Sequence, residues 1–337
     1  MPKTSVVIPN WNGKDRLAAC LDSLKGQLEP ADIILVDNGS RDGSVEFVEK
    51  KYPGVTVIEN LKNLGFAGGV NTGIRYSLVK KYDFVALLNN DAKAQTDWLA
   101  NLVNFLQAHP KAGIVTSKIL AGDGKHIDST GDLYTIWGLP FPRGRDELDE
   151  GQYDKDRWVF GASGGASLYR ASMLEKIGLF DEDFFAYYED VDLSFRAQLA
   201  GWKIGFEPRA RVIHQIGATS KQIKGFTAYH TLKNLPLLLW KNTPWRLMPT
   251  IWPRLALAWS LIAGRTLLRG QFGPFFKAAI VGSLLWPKKL VERRKIQASR
   301  QVSSSYIASI ITRDLPRNAQ RLHDLRAHWW KLRGKNG

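Results

Sequence analysis

The apolar residues of this chain fall alternately into unbroken runs and helically spaced sets. Thr4-Ser5-Val6-Val7-Ile8-Pro9, Ile33-Ile34-Leu35-Val36-Asp37 and Phe84-Val85-Ala86-Leu87-Leu88-Asn89 are dominated by aliphatic and β-branched side chains. Runs of this kind, without polar alternation, suit strands buried on both faces, as in a parallel sheet. Between them, Leu17, Leu21 and Leu24 recur at the spacing of one helix face. The pattern predicts strands over 4–9, 33–37, 55–59, 84–89 and 113–119, with helices over 14–27, 43–51, 70–81 and 97–109. Strands alternating with such helices build right-handed βαβ units, so the expected fold is α/β with a mainly parallel, Rossmann-like sheet.

From 120 to 158 the periodicity dissolves into Gly, Asp and Pro, which predicts an irregular excursion covering a site. Order returns with a strand near 166–169 and a helix near 171–177. An acidic stretch, 181–192, then opens a helix to about 200, and strands follow near 203–207 and 210–214. No internal repeat is present.

After about residue 225 the character changes. Residues 1–224 carry 27 Lys and Arg against 29 Asp and Glu, whereas residues 225–337 carry 20 against 3, so the rear supplies the formal charge of +15. We therefore expect a catalytic domain over 1–224 and a basic, Trp-rich helical region over 225–337, which holds seven of the 12 tryptophans. Its longest charge-free run between Gly225 and Lys288 is ten residues, about half of what a spanning helix needs. On a helix, Arg254, Arg265 and Arg269 share one arc, and Leu257, Trp259 and Ile262 lie opposite. Tryptophan mixed with cations on amphipathic helices suits an anionic membrane surface. The plainer alternative is a basic helical lobe packed on the enzyme.

The only cysteine is Cys20, in the helical pattern with Leu17, Leu21 and Leu24, so it reads as a packed thiol. The amino terminus runs directly into a strand, without the basic and apolar regions of a signal peptide.

Two of the strand-like runs end in acids, Asp37 and Asp91. In open α/β sheets ligands bind beyond the carboxyl ends of the strands, so these carboxylates are expected near one another at the ligand edge. Asp91, preceded by Asn89 and Asn90, offers a hard oxygen to a divalent cation, Mn²⁺ or Mg²⁺, and amides for ribose or sugar hydroxyls. His214 ends another apolar strand and is a further metal candidate if it faces Asp91, although a lone histidine is more often structural. Glu189, Asp190 and Asp192 open a helix after the aromatic residues Phe184, Phe185, Tyr187 and Tyr188. Acids there complement the helix dipole, but three within four residues exceed what capping needs. Repulsion and burial would raise one of their pKa values, as a general base requires.

Taken in order, these motifs resemble the family-2 glycosyltransferases with the GT-A fold. The matching residues are Val7-Ile8-Pro9-Asn10-Trp11-Asn12, Val36-Asp37-Asn38-Gly39-Ser40-Arg41-Asp42-Gly43 and Asn63-Leu64-Gly65-Phe66-Ala67-Gly68-Gly69-Val70-Asn71. They continue with Leu88-Asn89-Asn90-Asp91, Gly161-Ala162-Ser163-Gly164-Gly165, Glu189-Asp190-Val191-Asp192-Leu193 through Gly201-Trp202, and His214. The resemblance implies that Pro9, Asn10 and Asp37 line the nucleoside pocket, while Asn63, Gly65 and Asn71 shape it around base, ribose and diphosphate. Asn89-Asn90-Asp91 resembles the family's DxD-type motif, with Asn89 in place of the first acid, which leaves the metal one charge fewer. Asp190 matches the family's catalytic base and His214 a late histidine near the metal; Glu189, Asp192, Gly164 and Trp202 are acceptor-side candidates. The wording is most similar to the bacterial rhamnosyltransferase-type subfamily. That implies an inverting transfer from a nucleotide sugar, with dTDP-L-rhamnose leading and galactofuranosyl or other hexosyl donors as alternatives. It also implies a polyprenyl-diphosphate-linked saccharide acceptor and a peripheral position at the cytoplasmic face of the inner membrane.

Two rivals remain. A sugar-1-phosphate nucleotidylyltransferase would open with a glycine-rich loop and a basic residue, where this chain has Pro9-Asn10-Trp11-Asn12-Gly13. A nucleic-acid-binding tail has the charge, but its long Leu-, Trp- and Ile-rich stretches fit a membrane interface better, so no nucleic-acid partner is expected.

Overall fold

The computed structural model describes residues 2–214 and 223–315. The last stretch of the basic rear, residues 316–337, lies outside the described residues.

The first half follows the alternation of the sequence: β1 (Thr4–Asn10), α1 (Lys14–Leu24), β2 (Asp32–Asp37), α2 (Ser44–Lys51), β3 (Thr56–Glu59), α3 (Gly65–Val79) and β4 (Phe84–Leu88). β5 (Ala92–Ala94), α4 (Trp98–Ala108) and β6 (Ala112–Ala121) complete it. The excursion contains four short strands, β7 (Ile127–Ser129), β8 (Asp132–Tyr134), β9 (Pro140–Pro142) and β10 (Trp158–Val159). Buried Lys118 of β6 pins it to the sheet through Asp149 at 2.8 Å and Asp154 at 2.6 Å. β11 (Ala166–Arg170), α5 (Ala171–Ile177), α6 (Glu189–Leu199) and β12 (Lys203–His214) follow.

The main path of the sheet runs β10-β12-β6-β11-β4-β1-β2-β3. Its β3-β2-β1-β4 half is parallel, as is the β6–β12 pair, while β11 lies antiparallel between β4 and β6. Alternate side chains feed opposite faces. Val6, Ile8, Leu35, Ala86 and Leu88 pack with α1 and α4; Val7, Ile34, Val36, Val85 and Leu87 pack with α3, α5 and α6. Burial on both faces is why these strands read as unbroken apolar runs.

Two expected boundaries move. The glycine-rich segment expected to precede a helix at 70 is itself the first turn of α3. Asn63 Oδ1 accepts the Gly65 amide at 2.8 Å, and Gly65 has φ +74°. A Cβ there would lie 2.4 Å from the Phe185 carbonyl oxygen, so glycine permits both the turn and the close approach. The two strands expected over 203–214 are one strand with a register shift between Glu207 and Arg211, where Pro208 has no amide to donate.

The rear forms α7 (Phe226–Asn242), α8 (Met248–Leu268), α9 (Phe272–Ala298) and α10 (Ser304–Ile310). Leu235, Leu238 and Leu239 of α7 share an apolar cluster with Phe184, Val191 and Phe195, so one core spans the expected boundary at 224. No helix among the described residues is long and apolar enough to cross a membrane.

Candidate active site

The parallel strands end together. The register pairs Asn10, the last residue of β1, with Asp37, the last of β2. Asn10 Nδ2 donates to Asp37 Oδ1 at 2.9 Å, and Asn90 Nδ2 donates to Asn10 Oδ1 at 2.7 Å. Ser40 donates to Asp37 through its hydroxyl at 2.6 Å and its amide at 2.8 Å. Over this edge lies a cavity of about 790 Å³, large enough for a small-molecule substrate. It gathers Pro9, Asn10, Asn63, Gly65, Asn89, Asn90 and Asp91 along the strand ends, with Gly164, Glu189, Asp190 and His214 around them.

Four sequence candidates lie off this cavity. Asp37 is buried beneath it, its acceptors taken by Asn10 and Ser40, and neighbouring Asn38 is on the wall instead. Asn71 looks inward from α3, donating to the Phe180 carbonyl and to Glu182 and accepting the Phe180 amide. Asp192 is fully buried and bound by Arg196 and Lys241, each at 2.9 Å, and by Asn242 at 2.8 Å. Trp202 packs against the core between sheet and helices. The acceptor-side expectation for Asp192 and Trp202 is corrected accordingly: the first is consumed by an ion-pair network, the second by apolar packing.

β12 delivers His214 to the loop after β4. His214 Nε2 lies 3.1 Å from Asp91 Oδ1, and His214 Nδ1 lies 2.8 Å from Asp128 Oδ2. Burial disfavours the imidazolium, but hydrogen bonds to Asp128 and Asp91 outweigh it and raise the pKa to about 9. The donor set suits Mn²⁺ or Mg²⁺. Asp91 offers carboxylate oxygen and His214 Nε2, once a cation displaces its proton, imidazole nitrogen, while Asp128 keeps the other proton on Nδ1. Another close group of acids, Asp181, Asp183 and Glu292, does not fit a cation, because the Lys289 ammonium already donates to all three.

Asp190 sits in the first turn of α6. Its Oδ2 accepts the Gly164 amide at 3.0 Å and its Oδ1 the Val191 amide at 2.8 Å. Burial raises its pKa in spite of these bonds. Glu189 and Asp132 are pushed further up, first by burial and then by the charge of Asp190. Asp190 is the one whose anion receives two backbone amides, which favour its charged form. A cavity carboxylate with a raised pKa is equipped to take a proton from a substrate hydroxyl.

The segment leading to Asp190 is strained. Phe185, Tyr187 and Tyr188 have φ of 66°, 66° and 72°, which costs on the order of 1–3 kcal/mol for each non-glycine residue. α7 holds it. Asn234 Nδ2 shares its hydrogens among the carbonyls of Phe184 and Ala186, each at 3.0 Å, and Tyr187 at 2.8 Å, while Lys233 Nζ reaches the Asp183 carbonyl at 2.6 Å.

Sequence reasoning missed Asp128, Asp132 and Arg145, which line the cavity from the excursion, and Asn234 behind it. The one available signal was Asp128-Ser-Thr-Gly-Asp132, two acids around a turn in a segment expected to cover a site.

Comparison with known proteins agrees with this geometry. The model of the family "Glycosyl transferase family 2" matches residues 5–178, just over half of the chain. The chain belongs to glycosyl transferase family 2. Among curated members, it is 28% identical to the N-acetylglucosaminyl-diphospho-decaprenol L-rhamnosyltransferase of Mycobacterium tuberculosis, over 73% of this chain and 87% of that one. It is 26% identical to the undecaprenyl-phosphate mannosyltransferase of Micrococcus luteus, over 63% of this chain and 84% of that one. A solved mannosyltransferase from Pyrobaculum calidifontis, in complex with GDP-Man and Mn²⁺, shares the fold with a TM-score of 0.55 at 16% identity, covering 89% of this chain and 86% of that one. The chain is thus a family-2 glycosyltransferase with the GT-A architecture and a helical C-terminal region.

In this family-2 enzyme, Asn234→Ala is expected to lower kcat on the order of 10²-fold, the cost of a small misplacement of a reacting group. Donor affinity should change little, because the strand-end asparagines expected to hold the donor are untouched. Turnover and calorimetric donor binding on the same preparation check this.

Proposed function

We propose that this enzyme transfers a sugar, with dTDP-L-rhamnose the leading donor, to a polyprenyl-diphosphate-linked saccharide with inversion at the anomeric carbon. We place it peripherally at the cytoplasmic face of the plasma membrane, in the synthesis of cell-wall or surface polysaccharide. The observation that carries the reading is one cavity shared by Asp190 and by the Asp91–His214 pair. The sugar and acceptor classes are taken from the mycobacterial rhamnosyltransferase, whose similarity extends over most of both chains.

In this reading Pro9, Asn10, Asn63, Gly65, Asn89 and Asn90 hold the nucleotide sugar along the strand ends. Asp37 acts beneath them by fixing Asn10, and Asn71 by anchoring the segment before Asp190. Asp91 and His214 would hold Mn²⁺ or Mg²⁺, which supplies Lewis-acid neutralisation of a departing diphosphate. Asp190 takes the proton of the acceptor hydroxyl. The hydroxyl oxygen forms its bond to the anomeric carbon as the bond to the nucleoside diphosphate breaks, which inverts the centre. Glu189 and Gly164 stand on the acceptor side, Gly164 orienting the carboxylate of Asp190 through its amide. A second reading, a hexosyl or mannosyl donor, is favoured by the resemblance to the undecaprenyl-phosphate mannosyltransferase.

Calorimetry with Mn²⁺ and a panel of dTDP-rhamnose, UDP-galactofuranose, UDP-glucose, UDP-N-acetylglucosamine and GDP-mannose tests both. Selective binding of dTDP-rhamnose is expected. Asp91→Ala should weaken it by about tenfold or more, since loss of a metal-site contact costs 10–100-fold. Full affinity in that variant would remove Asp91 from the metal site, and preference for another donor would replace rhamnose.

A further inference from the structure

We propose that the outer face of the α8–α9 hairpin docks on an anionic phospholipid bilayer and holds the mouth of the cavity at the lipid surface. α9 turns Ala278, Lys289 and Arg293 inward. Away from them, Phe272, Phe276, Ile280 and Leu284 follow one another at four-residue spacing, an arc of about 120° on a helix. All four are exposed, Leu284 by 74%. On α8, where Leu255 and Ala258 face inward, Leu257, Leu261 and Leu268 fall within an arc of about 40°, and Leu268, at the hairpin tip, is 91% exposed. Single exposed leucines are ordinary, but two exposed apolar stripes on consecutive helices ask for a partner.

Charge selects the partner. Residues 225–291 contain no Asp or Glu. Arg254 and Arg265 border the leucine stripe of α8, and Lys277 borders the stripe of α9. A second copy of this face would bring cations against cations. An anionic bilayer offers hydrocarbon to the stripes and headgroup phosphates to their borders.

Position gives the docking its meaning. Gly225, at φ +78°, starts α7 against α9, and a Cβ there would lie 2.5 Å from Pro274 Cγ. Pro274 stands between Phe272 and Phe276, while the next residues of α7, Phe226 and Thr227, line the cavity. The apolar stripe therefore begins beside residues that line the cavity. An acceptor whose lipid chain lies in the bilayer reaches Asp190 without leaving the membrane, a consequence that rests on the acceptor class proposed above, whereas the docking itself does not.

The test uses the full chain and vesicles of phosphatidylcholine alone or with phosphatidylglycerol. The wild-type chain is expected to sediment with the anionic vesicles. Ile280→Glu combined with Leu284→Glu should lower the partition by about tenfold or more, with unchanged thermal unfolding. Lys277→Gln should lower it about fivefold and reduce its salt sensitivity. Wild-type partition in the Glu variant overturns the proposal. So does a dimer in sedimentation velocity that the same substitutions dissociate, without vesicle binding, which would make a second copy the occupant. Transfer to a water-soluble short-chain acceptor should persist in the Glu variant while transfer to a vesicle-embedded acceptor falls. Equal loss with both acceptors, despite weakened vesicle binding, overturns the placement of the cavity mouth. A failed donor panel leaves the vesicle result standing, so the two readings fail separately.

Discussion

Asp190→Asn is expected to abolish sugar transfer, with a loss on the order of 10² to 10⁴-fold, the usual worth of a positioned general base, while donor binding stays near wild type. Asparagine keeps the shape of the side chain and an oxygen for the Gly164 amide at the start of α6. What it removes is the capacity to accept a proton. The donor's expected contacts, Asn10, Asn63, Asn89 and Asn90, lie along the strand ends and do not depend on it. The pH profile supplies an independent check. Burial raises the pKa of Asp190, and a base works only when deprotonated. Wild-type kcat should therefore fall as pH drops through a limb lying above the ordinary aspartate value of about 3.9. Residual turnover in Asp190→Asn should lack that limb. Saturating kinetics across pH and calorimetry of the donor give the result, and an unchanged turnover would remove Asp190 from the mechanism.

Much of this site was legible because strand ends are local features. An apolar run that stops at Asn10, Asp37, Leu88 or His214 fixes the edge of the sheet, and the sheet brings those ends together. Helix geometry would also have separated Asp190 from Asp192. Two residues is about 200° around a helix, so when one faces the cavity the other faces the opposite packing partner. That partner is α7, where Lys241 and Asn242 wait. Asp128, Asp132 and Arg145 were not legible, because the excursion has no periodicity from which to orient a side chain. The rear was half legible. Its amphipathic character was read from the sequence, but the faces were misplaced: Leu257 is exposed near Arg254 and Arg265, while Trp259 and Ile262 pack inward, and Asn234, Lys241 and Lys289 gave no signal. Their role depends on contacts with residues 47 to 108 positions away in sequence, which no local pattern reports.

Lys241→Met is expected to destabilise the protein by about 3–5 kcal/mol, the cost of breaking a buried pair by removing one partner. Lys241 is almost fully buried and donates to both Asp181 and Asp192. Asp192, fully buried, would keep Arg196 and Asn242, and Asp181 would keep Lys289. Burial raises the pKa of Asp181, but Lys241 and Lys289 outweigh it and hold the carboxyl well below the usual range; Lys241 and Arg196 do the same for Asp192. A carboxyl depressed in the folded state contributes stability that is present above its unfolded pKa and lost as pH falls. The gap between wild type and Lys241→Met should therefore be widest near neutral pH and narrow below about pH 4, where unfolded carboxyls protonate. Urea denaturation at both pH values measures it, and an equal gap at both would detach the effect from these acids. The same pairs tie α7 and α9 to residues 181–192, the stretch that carries the strained aromatic turn and Asp190. The helix that carries part of the proposed membrane face and the stretch that carries Asp190 thus share one buried set of charges. Removing residues after 224 would expose an apolar core, strip Asp181 of both lysines and leave Asp192 with Arg196, so the shortened chain is expected to lose stability.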